Sequence, residues 1–266
     1  MNTITKTQNK SSDLKAKITE HIKALAEATD SARMSEAMLT YLDMCAKFHR
    51  YSPSNVWLIL MAKPEASLVA GFKKWRKMSR YVRQGEKGIP ILAPILVKVN
   101  ENGDEEEKLV GFRVVYVFDI SQTDGDPLPG PPDWKSPEKN AELAKLLMDF
   151  ARSKDITVEV KDLPGEIQGA SCGGKILLNP EAGTKTLIHE IAHELLHQVK
   201  DAPRDSTIRE LEAESVAYVV AKHFGLDGLS SPNYNALNGA TAKMILEHME
   251  RIRKSATEII NGVGLE

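Results

Sequence analysis

Two histidines separated by one helical turn are the residues of this chain with the clearest chemistry. His189 and His193 enclose Glu190 in the sequence HEIAH, which lies within the apolar-periodic run TLIHEIAHELLH. On an α-helix, side chains at positions i and i+4 share one face, so both imidazoles can reach one metal ion. The adjacent carboxylate can then address a water molecule at that ion. The pattern predicts a zinc hydrolase site with His189 and His193 as metal ligands and Glu190 as the catalytic base. The alternative is a helix that carries two surface histidines.

A third ligand has to come from elsewhere, because zinc prefers four ligands and a catalytic site keeps one position for water. His197 is the next histidine along the chain, but it lies about 12 Å beyond His189 along the helix axis. Ligands of one zinc ion lie much closer together than this. We therefore interpret His197 as a polar residue at the helix end, where a partly protonated imidazole suits the helix dipole.

The next predicted helix, residues 207–218, offers carboxylates instead. Glu210 and Glu214 share one face of this helix. One would bind the metal, and the other would accept the spare N–H of a metal-bound imidazole and so fix its orientation. Glu212 points about 200° away from Glu210 and is predicted to be solvated. The alternative for the pair is an acidic, solvated helix face.

Together, HEIAH and the sequence ELEAESVA at 210–217 resemble the gluzincin-type metallopeptidase domain of the ImmA/IrrE family. In that family the third ligand stands in a helical pattern of Glu-x-x-Ala-(Asp/Asn). The resemblance implies Glu210 as the third ligand, Glu214 as the supporting acid, a zincin-like fold over residues 137–266, and one Zn²⁺ or another divalent metal in its place. Glu214 stands where the family more often has Asp or Asn, which leaves open which of the two acids is the ligand.

Length and composition predict an α+β protein of two domains. The chain has 266 residues, of which 42% are hydrophobic and 27% charged, and this exceeds the usual size of a single domain. Four prolines and two glycines in the sequence TDGDPLPGPPD at 123–133 exclude helix and sheet pairing there. We predict one domain at residues 1–123, a linker at 124–136 and a second domain at 137–266.

Cysteine content and hydropathy predict a cytoplasmic protein with no membrane contact. The two cysteines, Cys45 and Cys172, fall on opposite sides of the predicted linker, so a stabilising disulfide framework is not expected. Cys172 stands in a hairpin signal rather than in a nucleophile motif. The polar start of the chain lacks an apolar signal region, and no run approaches the length that spans a bilayer.

Positive charge is concentrated in one segment, although the net charge is only −2. Residues 63–88 contain eight lysines and arginines against two glutamates, and Phe72, Trp75 and Tyr81 interleave with these cations. Cations that follow phosphates, beside aromatic faces for unstacked bases, are typical of single-strand binding. A basic amphipathic helix that buries Phe72, Trp75 and Met78 is the alternative.

Four short motifs occur in order around this segment: YSPSNVW at 51–57, FKKW at 72–75, VRQGEKGI at 82–89 and VFDISQT at 117–123. They resemble the amino-terminal domain of ArdC-type antirestriction proteins, a single-stranded DNA binder that precedes a metallopeptidase domain. The resemblance implies DNA contacts from Asn55, Lys73, Lys74, Trp75, Arg76, Arg80, Arg83 and Lys87. Structural roles are the alternative for some members, since Asn55 could cap a helix and Gly85 and Gly88 could permit a turn.

Periodicity assigns the main elements. Apolar spacing predicts two helices in the first fifty residues, and β-branched runs at 91–99 and 109–120 predict a long hairpin around Asn102–Gly103, with the acidic residues 105–107 in its solvated loop. Beyond the linker we predict a helix near 137–153, a strand near 156–160, a hairpin through Gly173–Gly174, the metal helix, and a final helix at 240–260. The resemblance to zincin-like folds implies that such a strand lies along the active-site cleft and can pair with an extended peptide.

The predicted function is therefore a cytoplasmic single-stranded DNA-binding protein with a zinc-dependent metallopeptidase domain. Its partners would be single-stranded DNA and a peptide or protein substrate, and its role would be antirestriction or DNA protection for a mobile element. The alternative is an antirestriction protein that works by binding alone, with a structural or silent metal domain. A DNA-acting zinc hydrolase lacks support, because the second domain has no basic stripe of its own.

Overall fold

The computed structural model describes residues 2–26, 31–101, 104–128, 137–200, 202–226, 232 and 241–264, and the fold is mixed α+β. Its helices are α1 (Asn2–Ala26), α2 (Ser31–Lys47), α3 (Pro53–Ala62), α4 (Phe72–Lys77), α5 (Pro137–Ser153), α6 (Thr184–His197), α7 (Ser206–His223) and α8 (Ala242–Gly262). Its strands are β1 (Val69–Gly71), β2 (Arg80–Val82), β3 (Ile89–Glu101), β4 (Asp104–Asp119), β5 (Thr123–Gly125), β6 (Thr157–Val160), β7 (Gly169–Ser171) and β8 (Lys175–Leu178).

The contacts between residues divide the chain into two compact units. The first unit consists of Met1–Ala24 and Ser54–Pro129, and the second of Leu25–Pro53 and Gly130–Glu266. The predicted division at residues 1–123 and 137–266 differs from these units at residues 25–53. Most of the predicted linker, residues 129–136, lies outside the described residues.

A three-stranded antiparallel sheet in the order β1-β4-β3 forms the centre of the first unit. The pairing of β3 with β4 runs from Ile89 opposite Val117 to Glu101 opposite Asp104, which confirms the predicted long hairpin. Its turn, Asn102–Gly103, lies outside the described residues. The prediction that residues 105–107 form a loop is wrong. They belong to β4, because the strands stay paired up to the turn and Glu107 stands opposite Lys98, a favourable pairing of opposite charges.

Two short strands and a 3₁₀ helix complete the first unit. β2 pairs with β5, and a 3₁₀ helix at Ile120–Gln122 connects β4 to β5. The prediction that residues 123–133 exclude sheet pairing is therefore wrong at Thr123–Gly125, because the prolines of that sequence begin only at Pro127 and leave these residues able to pair with β2. The carboxylate of Asp119 accepts the backbone N–H of Ser121, while the amide of Gln122 accepts the N–H of Asp119. This capping box satisfies donors that would otherwise be unpaired at the start of the 3₁₀ helix.

Helices dominate the second unit, where α6 packs against α7 and α5, and α7 also packs against α2 and α8. One of the two helices predicted in the first fifty residues is α2, whose residues Met38, Leu42 and Cys45 are buried. A short sheet in the order β6-β8-β7 completes the unit, with β6 parallel and β7 antiparallel to β8. The helices and strands predicted after the linker are therefore present, although residue 240, the predicted start of the last helix, is outside the described residues. The strand along the cleft is β7 rather than the predicted strand near 156–160, because β6 lies at the opposite edge of the sheet.

Among the described residues, no helix combines the length and the apolar character that crossing a bilayer requires.

Candidate functional site

The two histidines of HEIAH lie on the face of α6 opposite its apolar residues. Leu187, Ile188 and Ile191 are buried in the unit, since their spacing of three and four residues places them on one side of the helix. His189 and His193 are half-buried on the other side, and their Nε2 atoms lie 3.0 Å apart. The helix therefore directs both ring nitrogens to one point.

The neighbouring helix α7 brings a carboxylate to the same point. Asp205 caps this helix by accepting the backbone N–H of Thr207. From its first turns, Glu210 places Oε2 3.5 Å from Nε2 of His189 and Oε1 3.4 Å from Nε2 of His193. Two imidazoles and one carboxylate thus converge as a group that could hold a metal ion.

The spacing of these donor atoms fits a small divalent cation. Zinc–nitrogen and zinc–oxygen bonds of about 2.0–2.2 Å in a tetrahedral site place neighbouring donors roughly 3.3–3.5 Å apart. The measured separations between the donor groups are 3.0, 3.4 and 3.5 Å. Burial, together with the positive charge of His189, lowers the pKa of His193 to about 4, which favours the neutral imidazole that metal binding requires.

Glu214 addresses the opposite side of the His189 ring. Its Oε2 lies 3.3 Å from Nδ1 of His189, and its Oε1 accepts a hydrogen bond of 2.9 Å from Nζ of Lys185. Burial lowers the pKa of His189, but the hydrogen bond that its ring donates to Glu214 and the charges of Glu190 and Glu210 raise the pKa above its ordinary value overall. This geometry suits a supporting acid, and it places Glu210 rather than Glu214 beside both Nε2 atoms.

Glu190 is buried beside this group, under the backbone of β7. Burial raises the pKa of Glu190, although the charge of His189 opposes this. A Cβ added at Gly169 would lie 2.8 Å from both Cγ and Oε1 of Glu190, so β7 approaches the carboxylate as closely as a glycine allows. A cavity of about 440 Å³ opens here, with β7 lining it together with Arg209 and Glu210.

A second acid of α6, Glu194, holds β7 in place and was not identified from the sequence. It accepts hydrogen bonds from the Ser171 hydroxyl and from the backbone N–H groups of Cys172, Gly173 and Gly174. Both glycines have positive φ, 73° and 81°, which lets successive N–H groups turn toward one carboxylate. The only sequence signal for this role is the position of Glu194, one turn beyond Glu190 on the same helix.

The structure ends α6 at His197, as predicted, but buries this residue against Glu212. The interpretation of Glu212 as solvated is wrong, because the side chains of His197 and Glu212 are 2% and 0% exposed and lie 3.0 Å apart. Nδ1 of His197 also lies 2.9 Å from Nδ1 of His193. Glu212 is enclosed because its side chain lies among His197 of α6 and His248 and Arg251 of α8, whereas Glu210, two residues earlier, is exposed.

Several of the residues implied as DNA contacts lie on an exposed surface of the first unit. Lys73, Lys74 and Arg76 are exposed on α4, and Lys87 is exposed in the loop before β3. Phe72 and Tyr81 expose 49% and 57% of their surface beside them. We call this set of exposed cations and aromatic rings, with Lys77, the basic aromatic surface.

Trp75 does not belong to that surface. Its ring is fully buried, and its Nε1 donates a hydrogen bond of 2.9 Å to the carbonyl of Phe118. The alternative interpretation, a basic amphipathic helix that buries Phe72, Trp75 and Met78, is therefore correct for Trp75. It is wrong for Phe72, which is exposed. α4 has only six residues, so the periodicity of a longer helix does not apply to it.

The other three implied contacts hold backbone segments together. The Asn55 amide both donates to and accepts from the backbone of Leu92. Arg80 donates to the carbonyl oxygens of Thr123, Gly125 and Asp126. Arg83 pairs with Glu86 at 2.6 Å and donates to the carbonyl of Ser121. Asn55 therefore joins α3 to β3 rather than capping a helix.

Comparison with known proteins identifies the family of the amino-terminal part. Residues 9–118 match the N-terminal domain of anti-restriction factor ArdC. The chain is also 29% identical over 295 residues to the uncharacterized Bacillus anthracis protein pXO2-81, covering 91% of this chain. The chain spans about 50% of the length of that relative.

Two solved structures of the antirestriction protein ArdC from the R388 plasmid are similar to this chain. The metal-free structure is 20% identical with a TM-score of 0.45, and the match covers 81% of this chain and 83% of that one. The Mn(II)-bound structure is 16% identical with a TM-score of 0.46, covering 85% and 97% respectively. Residues 9–118 therefore form a domain of the ArdC N-terminal type.

Proposed function

We propose that this ArdC-like protein is an antirestriction factor that binds single-stranded DNA through residues 1–123 and carries a one-metal, peptidase-type site within residues 137–266. The observation that carries the second part is the convergence of His189, His193 and Glu210, with donor groups 3.0–3.5 Å apart beside the buried Glu190. The first part is supported by the match to the ArdC N-terminal domain and by the basic aromatic surface.

Binding of single strands would combine phosphate contacts with base stacking. Lys73, Lys74, Arg76 and Lys87 are exposed and would follow the phosphates, while the exposed rings of Phe72 and Tyr81 would receive unstacked bases. Trp75, Asn55, Arg80 and Arg83 would act indirectly, by holding α4 and the adjacent loops in position. An unstacked strand supplies accessible base faces that a duplex does not, which is the physical basis for the proposed preference.

In the metal site, His189, His193 and Glu210 would hold one Zn²⁺, or another divalent ion, and Glu214 would orient the His189 ring. When bound, the metal supplies Lewis acidity, which acidifies a water molecule and polarises a substrate carbonyl. Glu190 would accept the proton of the attacking water and pass it to the leaving amine. Its burial raises its pKa, which suits a carboxylate that must hold a proton between these two steps.

The substrate would lie along β7. In the sheet order β6-β8-β7 this strand is at the edge, so its outer backbone groups can pair with an extended peptide. β7 also lines the cavity beside Glu190 and the three donor groups. A peptide paired with β7 would therefore pass the general base, and Glu194 would keep the strand at this distance.

Replacing the general base tests the proposed chemistry. Glu190→Gln should keep the metal and the fold, because Glu190 is not one of the converging ligands. Cleavage of fluorescently labelled casein, or of the chain itself, should fall by about two orders of magnitude or more. Equal cleavage by both preparations would indicate a contaminating protease, and the alternative of an antirestriction protein that works by binding alone would then be favoured.

A further inference from the structure

A chain of hydrogen-bonding groups leads from His193 into the interior of the second unit. Nδ1 of His193 lies 2.9 Å from Nδ1 of His197, and Nε2 of His197 lies 3.0 Å from Oε2 of Glu212. His197 and Glu212 are almost completely shielded from solvent, so water does not compete for these contacts. The contacts are therefore stronger and more directional than the same contacts at a surface.

Glu212 is held as a carboxylate by two residues of α8. Its Oε1 lies 2.7 Å from Nδ1 of His248 and accepts a hydrogen bond of 2.9 Å from Nε of Arg251. Nη2 of Arg251 lies 3.2 Å from Oε2, so both oxygens of Glu212 accept from the guanidinium group. An ionised carboxylate can only accept hydrogen bonds.

This requirement determines the positions of the remaining protons. The proton between His197 and Glu212 must be on Nε2 of His197, because Glu212 cannot donate. Metal binding through Nε2 of His193 requires the proton of this ring on Nδ1, and the 2.9 Å contact then makes Nδ1 of His197 the acceptor. The Nε2 of His193 is left with its lone pair, and this atom is the one that faces His189 and Glu210.

The two histidines of the site are thus supported differently. His189 meets the carboxylate of Glu214 directly at 3.3 Å. His193 reaches a carboxylate only through the ring of His197. Arg251 also donates to the carbonyl of Leu196 at 3.0 Å, which ties the end of α6 to the same carboxylate anchor.

From this geometry we propose that His197 and Glu212 are positioning residues, which fix the ring orientation and tautomer of His193 so that its Nε2 faces the metal. The proposal rests on the metal site of the proposed function. It assigns to two buried residues a role in metal binding although neither is a ligand.

Three substitutions separate this role from simple packing. His197→Phe keeps an aromatic ring of similar size but removes both nitrogens, and Zn²⁺ affinity, measured by competition with a chromophoric chelator, should fall about 10- to 100-fold. His197→Gln can still accept from His193 and donate to Glu212, so it should retain most of the affinity. His223→Gln removes another imidazole of the second unit, one that contacts the carbonyl of Ala46 rather than this network, so it is the matched control and should change the affinity less than about threefold.

Spectroscopy of the His193 ring and of bound Co²⁺ complements the affinity measurements. In the metal-free wild-type chain, nitrogen-15 shifts of the ring should show His193 protonated on Nδ1, and in His197→Phe a mixture of tautomers. Co²⁺-loaded His197→Phe should also show a changed ligand-field spectrum. The wild-type measurement needs no variant, so it decides the matter even if the substituted chains do not fold.

Several results would overturn the inference. Wild-type His193 protonated on Nε2 contradicts it, as does folded His197→Phe that binds Zn²⁺ like the wild type. Glutamine and phenylalanine variants with equally weakened affinity would indicate packing rather than proton positioning. If the wild-type chain binds no Zn²⁺, Mn²⁺ or Co²⁺, the proposed function itself fails, which is a different outcome from a metal site that is indifferent to His197.

Discussion

At the scale of single residues, Glu210 and Glu214 show how one helical turn separates two chemical roles. Both lie on α7, yet Glu210 approaches the Nε2 atoms of His189 and His193, while Glu214 approaches Nδ1 of His189 and pairs with Lys185. The difference comes from which edge of the His189 ring each turn of α7 reaches.

These positions predict different metal affinities for the two variants. Wild-type protein should hold about one equivalent of Zn²⁺ or another divalent ion, and this should be lost in Glu210→Ala as in His189→Ala and His193→Ala. Glu214→Ala should keep the site with an affinity about 10- to 100-fold lower, because it removes only a supporting hydrogen bond. Metal analysis after dialysis measures this, with Glu181→Ala as an exposed acidic control. Metal retained in Glu210→Ala but lost in Glu214→Ala would exchange the two roles.

Substitutions of the aromatic residues in and after α4 should have two different effects, one on DNA affinity and the other on the free energy of unfolding. Phe72→Leu and Tyr81→Ala should each weaken single-stranded DNA binding by about 1–3 kcal/mol, since these exposed rings are the proposed stacking faces. Phe72→Tyr keeps a ring and should keep the affinity. Trp75→Ala should instead lower the free energy of unfolding by about 3–5 kcal/mol, because its buried ring leaves a cavity. Fluorescence anisotropy and denaturant titration separate these effects, and a folded Trp75→Ala protein with selectively lost affinity would oppose our assignment.

At the scale of elements, α7 packs against three other helices of the second unit. α2 packs on one side of it and α6 and α8 on others, and the hydroxyl of Tyr218 donates to Asp43 of α2. Just after α2, His49 is buried with its ring 4.9 Å from that of His223, the last residue of α7. The carbonyl of His49 accepts hydrogen bonds from Arg253 and Thr257 of α8.

This packing predicts a specific pH dependence of stability. Burial, followed by the charges of His223 and Arg50, lowers the pKa of His49 to about 4. The unfolded chain takes up this proton near pH 6.5, so the contribution of His49 is complete above that pH and is lost as the pH falls through 4. The loss should be on the order of 3 kcal/mol.

Denaturant unfolding of the metal-free protein between pH 4 and 7 measures the effect. His49→Phe should flatten the dependence relative to the wild type, because the difference between the two proteins isolates this group from the other titrating residues. An unchanged slope in His49→Phe would show that His49 does not couple protonation to the packing of α2, α7 and α8.

At the scale of the whole molecule, DNA binding has to arise from a local concentration of charge. The chain carries a net charge of −2, so its overall field does not attract a polyanion. The basic aromatic surface and the metal site also lie in different compact units. We therefore expect the two activities to depend on different conditions.

Removing the metal should leave DNA binding intact. After treatment with EDTA, the full chain should bind an unstructured single strand as before and prefer it over a duplex. The affinity should fall steeply with salt, and replacing Lys73, Lys74, Arg76 and Lys77 together by Gln should reduce the slope of the salt dependence by roughly 3, at about 0.7 for each phosphate contact. A salt-independent affinity, or equal affinity for single and double strands, would contradict the proposed DNA surface.

The sequence by itself determined several features that depend on neighbours within one or two turns. The spacing of His189 and His193 places their rings on one side of a helix wherever that helix lies. The β-branched runs on either side of Asn102–Gly103 likewise predicted the hairpin of β3 and β4, and the resemblance to the ArdC N-terminal domain, which rests on short consecutive motifs, is confirmed by the family match.

Only the tertiary structure decided which side chains are buried and which distant groups meet. The pattern of α7 could not show that Glu212 is enclosed, because helical periodicity separates the faces of a helix and does not report which of them another helix covers. The burial of Trp75 depends in the same way on β4, some forty residues away, which supplies the Phe118 carbonyl. The contact of His197 with Glu212 joins two helices whose relative rotation is set by packing, and packing is a property of all the surrounding elements together.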